Sequence, residues 1–324
     1  MKIWEDAPIT EIFGFRVYTF GIYCLIGVMC SVAAIFVLCR AMKVKKGTAS
    51  LLTVMSIVFG VICSRLVFCL VTLVVSRGFP FRAWYSITSG GWSLFGMICG
   101  VLLAAKISSA ISKEKSNMLL DIVCCALPLT IAAERFAERL FEGFNVSRVL
   151  PENAFPRGTF LSVTYSLSTE SAYMATYLLD ALSAVILFMA LVFLLSRQER
   201  EEGDIWILFL MLCGGGGVLM ESLRYDTYLE FSFVRIQQVM AAIMLIAGVV
   251  LSGIRNKGAH RGFFRAAIVS LPLSIAICGG IEFALDRTEI NHYLLYAVMF
   301  IALALPVSFG IKLLRNRKKG YETP

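Results

Sequence analysis

Nine apolar stretches, each about as long as a bilayer is thick, restrict the fold of this chain more than any other feature. A helix needs roughly 20 apolar residues to cross the hydrocarbon core, and its backbone groups must hydrogen-bond to one another because lipid offers them no partners. We therefore predict an all-α, polytopic membrane helix bundle. The predicted spans lie near residues 17–39, 50–75, 91–112, 118–139, 174–196, 205–223, 234–254, 266–285 and 292–313.

The composition is that of an integral membrane protein and gives no sign of a cofactor. The chain is 58% hydrophobic and 16% charged, whereas soluble domains are about a quarter charged. The ten cysteines form no C-x-x-C pair, so we interpret them as small core residues and predict no metal site. The sequence contains no glycine-rich nucleotide loop, HExxH or GxSxG motif, and we expect no cofactor.

The distribution of basic residues predicts the orientation in the membrane. The segments that follow the first, third, fifth, seventh and ninth spans hold 18 of the 30 lysine and arginine residues. By the positive-inside bias these segments are cytoplasmic, which puts the N-terminus outside and the C-terminus inside. The net charge of +8 then reflects topology and attraction to anionic lipid headgroups, and we do not expect nucleic-acid binding.

The connections predict the domain organisation. The longest outer connection, residues 142–173, is either a partly folded cap on the outer leaflet or a disordered connector, and its length favours a functional cap. The last two spans follow a basic connector and contain few polar residues beyond Glu282. We therefore divide the chain into a seven-helix domain with its cap, residues 1–255, and an appended two-helix segment with a basic tail, residues 256–324.

A run of four glycines, residues 214–217, lies in the sixth span. Glycine lets two helix backbones approach closely, and it also permits a break in a helix. We expect close packing of a neighbouring helix at this run.

Arg65 lies near the middle of the second span. Ionisable groups at membrane depth are costly and are candidates for a functional site. The guanidinium group must therefore meet a carboxylate, a phosphate or water. Two interpretations stay open, a buried structural ion pair and binding of a lipid phosphate.

The segment "IAAERFAERLFEG", residues 131–143, carries the densest group of charges at the end of a span. At helical spacing Glu134 and Glu138 share one face, as do Arg135 and Arg139, and Arg135 also reaches Glu138 at i, i+3. One interpretation is a solvated helix end whose charges pair with one another. The other is a site for an anionic headgroup, because guanidinium groups bind phosphate oxygens in bidentate fashion.

Two further polar clusters lie on either side of the next outer connection. Glu221 and Arg224 form an i, i+3 pair at the end of the sixth span, and Arg235, Gln237 and Gln238 begin the seventh. The predicted topology puts both clusters at the same membrane face as the preceding charged segment. Three of these four groups of charged and polar residues thus lie at one membrane face, and Arg65 lies deeper. This arrangement predicts a lipid-headgroup site reached from the outer leaflet.

Several segments, in order along the chain, resemble motifs of the bacterial prolipoprotein diacylglyceryl transferase family. "CSRLVFCL" resembles its "ARLxY" segment, and "GGWSLFGMICGVLLA" resembles its "GGMSFHGGLxGG" motif. "DIVCCALPLTIAAERFAERLFEG" takes the place of "PxxLxxGRxGNFxNxE", "ESLRYD" resembles "ExxRxxD", and "RIQQVMA" resembles "xxGQxxS". The resemblance covers about residues 15–255 and implies a seven-helix core, to which the last two spans are added.

The resemblance also implies a reaction and a set of residue roles. Members of the family move a diacylglyceryl group from phosphatidylglycerol to the lipobox cysteine of an exported prolipoprotein, at the outer leaflet of the bacterial cytoplasmic membrane. The implied partners are phosphatidylglycerol or another anionic phospholipid and a prolipoprotein signal peptide. The residues implied to bind the lipid phosphate and headgroup are Arg135, Arg224, Arg65, Arg139, Glu221 and Gln238.

The chain departs from the family motifs at polar positions. Phe95 stands where the family has histidine, and Glu134 and Glu138 replace a glycine and an asparagine. A phenylalanine cannot take a proton, whereas Glu134 or Glu138 is a candidate catalytic base. Three functions stay open: a divergent diacylglyceryl transferase, a non-catalytic paralogue that binds lipid or assists another membrane enzyme, and a transporter, for which the sequence shows no clear repeat.

Overall fold

A computed structural model describes most of the chain. The residues it describes are 9–12, 15–76, 91–140, 162–164, 172–197, 201–224, 230–231, 234–255, 261–288 and 290–316. Most of the predicted cap, residues 142–173, lies outside this set. The choice between a cap and a connector therefore stays a prediction.

Nine helices occur in the described residues, and each is long and apolar enough to cross a membrane. They coincide with the nine predicted spans to within a few residues at each end, so the prediction of an all-α polytopic bundle is confirmed. The orientation in the membrane stays a prediction. The helices are α1 (Thr19–Ala41), α2 (Thr48–Ser76), α3 (Leu94–Ser112), α4 (Ser116–Ala137), α5 (Thr176–Ser196), α6 (Asp204–Leu223), α7 (Ile236–Arg255), α8 (Arg261–Arg287) and α9 (His292–Asn316).

Short antiparallel hairpins lead into three of the helices in the described part of the chain. Each second strand ends within two residues of a helix start, before α1, α5 and α7. The predicted orientation puts all three hairpins on the outer side of the membrane. The pairs are β1 (Thr10–Ile12) with β2 (Phe15–Val17), β3 (Ser162–Thr164) with β4 (Ala172–Met174), and β5 (Glu230–Phe231) with β6 (Val234–Arg235).

The chain forms two compact units. One contains Met1–Gly203 and Arg224–Asp226, and therefore α1 to α5; the other contains Asp204–Leu223 and Thr227–Pro324, and therefore α6 to α9. The predicted domain boundary after residue 255 follows from the basic connector and the few polar residues of the last two spans, and it stays a prediction.

Helix α4 is the central helix of the first unit. It packs against α1, α3 and α5. Within the most apolar 18 residues of the helix, 78% are buried inside the protein, compared with 22% in the corresponding stretches of α2 and α5. On the α1 side, the Ser31 hydroxyl donates to the carbonyl of Ala126 at 2.8 Å and lies 2.8 Å from the Thr130 hydroxyl. Because protein surrounds α4, most of the charges at its C-terminal end are held inside the unit.

Helices α6 and α7 of the second unit approach closely at the glycine run. Helix α6 continues unbroken through residues 214–217. A methyl group added to Gly214 would lie 2.5 Å from the backbone nitrogen of Leu245 and 2.8 Å from the carbonyl oxygen of Ala241, so only glycine allows this approach. The predicted close packing is confirmed. Helices α8 and α9 pack against each other, and α9 also contacts α6 and α7.

The glycine run provides a matched pair of substitutions. We expect Gly214→Ala to destabilise the protein by about 1–3 kcal/mol, because the added methyl overpacks the contact with α7. Gly216→Ala should be neutral or stabilising, because nothing lies within 4 Å of its added methyl and alanine favours helix. Thermal unfolding of the two purified variants in detergent measures the difference, and a Gly214→Ala variant as stable as Gly216→Ala would show that the helices do not meet there.

Candidate functional site

The C-terminal end of α4 carries a buried arginine that is surrounded by carboxylates. Nη1 of Arg135 donates to Oε1 of Glu138 at 2.7 Å. Nε of Arg135 lies 3.1 Å from Oδ2 of Asp180 on α5 and 3.5 Å from Oε2 of Glu134. Such partners are needed because an unpaired charge inside a membrane bundle is costly.

Glu138 connects Arg135 to a second buried arginine. Helix α4 ends at Ala137, and Glu138–Leu140 form a single 3₁₀ turn that keeps Glu138 on the same side as Arg135. Its other carboxylate oxygen, Oε2, accepts a hydrogen bond from Nη2 of Arg224 at 2.6 Å. The carboxylate of Glu138 thus bridges the guanidinium groups of Arg135 and Arg224. We call Glu134, Arg135, Glu138, Asp180 and Arg224 the arginine–carboxylate cluster.

Asp180 is the member of this cluster that sequence reasoning missed. It is the one acidic residue in the apolar sequence of α5, and a search for every ionisable residue at membrane depth would have found it. No basic residue lies three or four positions from it in its own helix. Its charged partner, Arg135, comes from α4, and spacing along one helix cannot reveal such a contact.

Arg139 lies at the same helix end but outside the cluster. It is exposed, and its guanidinium carbon is 5.3 Å from the centroid of the Phe136 ring. That ring in turn makes edge contacts with Tyr23 and Tyr177, at centroid distances of 5.6 and 6.0 Å. The two arginines that shared a predicted face thus have different environments, one buried and one at the surface.

Arg65 is buried between α2 and the segment that precedes α3. Its Nη1 donates to the carbonyl of Gly91 at 2.9 Å, and its guanidinium carbon lies 4.0 Å from the centroid of the Trp92 ring. Gly91 has a φ of 80°, which glycine adopts readily. Phe95 is buried in the first turn of α3. The described contacts of Arg65 thus include a carbonyl dipole and an aromatic face.

The remaining predicted residues lie in the second unit and form buried polar contacts there. Nη1 of Arg235 donates to the backbone carbonyl of Glu221, and both residues are buried. Nε2 of Gln238 donates to Oε1 of Glu282 at 2.7 Å, and Glu282 is a buried residue of α8. A cavity of about 250 Å³ adjoins this pair, and its wall is apolar apart from Gln238, Glu282 and Ser274.

The sequence model of the prolipoprotein diacylglyceryl transferase family matches residues 8–254. The chain belongs to this family. The match includes every residue of the arginine–carboxylate cluster and ends before α8. The contact between Gln238 and Glu282 therefore joins a residue inside the matched region to one outside it.

Similar proteins from three bacteria carry the name phosphatidylglycerol–prolipoprotein diacylglyceryl transferase. The relative from Clostridium novyi (strain NT) is 22% identical over 260 residues, which are 78% of this chain and 97% of the relative. The relative from Thermotoga petrophila is 24% identical over 197 residues, 59% of this chain and 65% of the relative. The relative from Fervidobacterium nodosum is 28% identical over 166 residues, which are 51% of this chain and 56% of the relative. The chain thus spans just under two thirds of the Thermotoga relative's length.

The buried Arg135 in the last turn of α4 and the exposed Arg139 in the 3₁₀ turn that follows test the energetics of the cluster. We expect Arg135→Met to destabilise the protein by about 3–5 kcal/mol, because it removes the shared partner of buried carboxylates. Arg139→Met, at the exposed neighbouring position, should change the free energy of unfolding by less than about 0.5 kcal/mol. Thermal unfolding in detergent measures both variants, and equal stabilities would argue against the buried ion pairs.

Proposed function

We propose that the protein is a membrane transferase that moves a diacylglyceryl group from a glycerophospholipid to a cysteine thiol of an exported prolipoprotein. The observation that carries this proposal is the convergence of two buried guanidinium groups, those of Arg135 and Arg224, on one anionic position. Family membership and the names of the relatives support the same class of reaction.

The reaction exchanges one bond to a glyceryl carbon for another. The thiolate sulfur attacks the glyceryl carbon that bears the phosphate, the carbon–oxygen bond breaks, and the headgroup phosphate leaves with the bonding electrons. With phosphatidylglycerol as donor, the leaving group is glycerol phosphate. Guanidinium groups that hydrogen-bond the phosphate oxygens stabilise the charge that develops on them.

In this proposal Glu138 holds the place of the lipid phosphate while the site is empty. Its two oxygens accept hydrogen bonds from Arg135 and Arg224 at 2.7 and 2.6 Å. A phosphate group presents two oxygens in a similar arrangement, so an incoming lipid phosphate meets the same donors when Glu138 swings away. The exchange replaces one anion by another and leaves neither arginine without a partner.

The displaced Glu138 is then the proposed base. Once the lipid phosphate takes its place, Glu138 can accept the proton of the acceptor thiol at hydrogen-bond distance. Glu134, whose Oε2 lies 3.5 Å from Nε of Arg135, is the second candidate for this role.

We place the reaction at the outer leaflet of the bacterial cytoplasmic membrane. This placement rests on the predicted orientation, in which the charged end of α4 and the connection formed by residues 142–173 face outward. The acceptor in this proposal is the signal peptide of a prolipoprotein, which presents its cysteine from the outer side.

Lipid binding without catalysis is a second candidate function, and the same ion pairs favour it. Three carboxylates are partners of Arg135, and by the resemblance Phe95 stands at the position of the family histidine. In this alternative Glu138 only neutralises the two arginines, and the protein binds lipid or assists another membrane enzyme.

Complementation separates the two candidates. We expect the full chain, expressed in cells depleted of their own diacylglyceryl transferase, to restore growth and lipidated lipoprotein, as measured by mass spectrometry of a lipoprotein N-terminus. A well-expressed, membrane-inserted chain that restores neither would contradict catalysis and favour the lipid-binding function.

Arg135→Ala and Arg197→Ala provide the matched variants for this experiment. Arg135→Ala should abolish rescue, because it removes one of the two guanidinium groups that we propose bind the lipid phosphate. Arg197 is exposed just beyond the other end of α5, and its replacement should leave rescue intact. Undiminished rescue by Arg135→Ala at equal expression would overturn the assignment of the site.

A further inference from the structure

The second unit contains a cavity that the proposed reaction does not involve. Helices α7 and α8 form most of its wall, and α6 and α9 contribute Val218 and Leu303. We propose that this cavity binds one acyl chain of a membrane phospholipid. All of its described wall residues belong to the second unit, whereas the arginine–carboxylate cluster belongs to the first. The proposed site is therefore built from other residues than the site of transfer.

The size and shape of the cavity suit a single hydrocarbon chain. Its volume is about 250 Å³, and because a cavity of about 150 Å³ holds one benzene molecule, this space takes about ten carbon atoms. The wall runs from Gln238 to Ile246 on α7 and from Leu271 to Glu282 on α8, about 12 and 16 Å along the two helices. A helical peptide is about 10–12 Å across with its side chains and is too wide for this space.

The wall of the cavity is apolar over most of its length. Its polar residues are Gln238 and Glu282 at one end and Ser274, whose hydroxyl donates to the carbonyl of Ala302 at 2.6 Å. Apolar cavities of this size stay dry and take up apolar molecules. Acyl chains are the apolar molecules that surround membrane-spanning helices, so they are the occupants that this wall favours.

The cavity opens toward the bilayer between α7 and α8. Val239 and Ile243 on α7 and Ile275 on α8 line it and are also exposed, Ile243 by 59%. Helix α8 packs mainly against α9, which leaves room for a chain to enter sideways. The inner wall contains Leu245 and Leu271, which are buried.

The polar end of the cavity indicates how the chain is oriented. Nε2 of Gln238 donates to Oε1 of Glu282 at 2.7 Å and to the carbonyl of Val218 at 3.4 Å. Gln238 lies in the first turn of α7 and Glu282 in the last turns of α8, which the predicted orientation puts toward the outer face. A phospholipid of the outer leaflet has its ester groups at that face, and its acyl chain runs inward from there.

The same polar end favours an esterified chain over a free fatty acid. The carboxylate of Glu282 and the side-chain oxygen of Gln238 are hydrogen-bond acceptors. A fatty acid carboxylate also contains only acceptors, and it brings a negative charge beside an acidic residue. A phospholipid keeps its charged phosphate at the membrane face and inserts only the chain.

Two adjacent glycines provide matched positions for blocking the cavity. Gly279 lines the cavity, and nothing lies within 4 Å of a methyl group added to it. A methyl group added to Gly280 also meets nothing within 4 Å, but Gly280 is exposed and lies outside the described wall. A leucine therefore fills the cavity at the first position and lies outside it at the second.

Photo-crosslinking in vesicles tests the proposal. The full chain is reconstituted in phosphatidylcholine and phosphatidylglycerol vesicles with a trace of phosphatidylglycerol that carries a diazirine midway along one acyl chain. Peptide mass spectrometry then locates the labelled residues. We expect labelling of the buried Leu245 and Leu271 as well as of Val61, an exposed residue of α2 that any surrounding lipid reaches. Labelling confined to exposed residues such as Val61 would overturn the proposal.

The glycine variants show whether the label reaches the two leucines through the cavity. Gly279→Leu should lower the labelling of Leu245 and Leu271, relative to Val61, by at least about fivefold, because a chain in the filled cavity is overpacked. Gly280→Leu should leave that ratio unchanged, and equal ratios in the two variants would overturn the site. Ala242→Leu fills the same cavity from α7 and replaces Gly279→Leu if that variant fails to fold.

A free fatty acid with the same diazirine distinguishes the two sources of acyl chains. We expect the phospholipid to label Leu245 and Leu271 more strongly than the fatty acid does at equal amounts in the vesicles. Equal or stronger labelling by the fatty acid would overturn the assignment of a phospholipid.

The labelling experiment is independent of the proposed transfer reaction. A chain that restores lipidated lipoprotein but shows no label on Leu245 and Leu271 loses this site and keeps the proposed function. A chain that shows the label but restores no lipidation keeps this site and loses the transfer reaction.

Discussion

A guanidinium group buried among membrane helices needs anionic partners from the protein, and Arg135 forms ion pairs with three carboxylates. Glu134 and Glu138 come from its own helical segment, and Asp180 comes from α5. Glu138 also contacts Arg224, so its carboxylate belongs to two ion pairs at once. This shared carboxylate joins the two buried arginines, and the function that we propose for the cluster depends on it.

The cluster is buried because of the helix that carries it. Helix α4 has α1, α3 and α5 as neighbours, and the hydroxyl contacts of Ser31 with Ala126 and Thr130 fix α1 against it. A central helix places its last turn inside the bundle, where charges interact strongly because water is scarce. The segment that resembles a motif of the family thus lies inside the first unit, where its charged side chains interact strongly.

Much of this organisation follows from sequence, because it depends on local regularities. The nine spans follow from hydropathy and length, the contact of Arg135 with Glu138 follows from i, i+3 spacing, and the close approach at Gly214 follows from the glycine run. These features need only one helix or the general properties of a bilayer.

The features that sequence analysis missed depend on contacts between helices. Asp180 meets Arg135 across α4 and α5, and Glu282 meets Gln238 across α7 and α8. The separation of buried Arg135 from exposed Arg139 depends on which side of α4 faces its neighbours. One sequence carries the periodicity of each helix, but it does not say how each helix is rotated within the bundle.

The central claim, that Glu138 binds Arg224 as well as Arg135, is tested most directly by a double-mutant cycle between Glu138 and Arg224. The free energy of unfolding is measured in detergent for the unmodified protein, Glu138→Gln, Arg224→Met and the double variant. A hydrogen bond between charged groups predicts a coupling energy of about 1.5–3 kcal/mol. Additive effects of the two substitutions, with a coupling energy near zero, would contradict the bridging carboxylate.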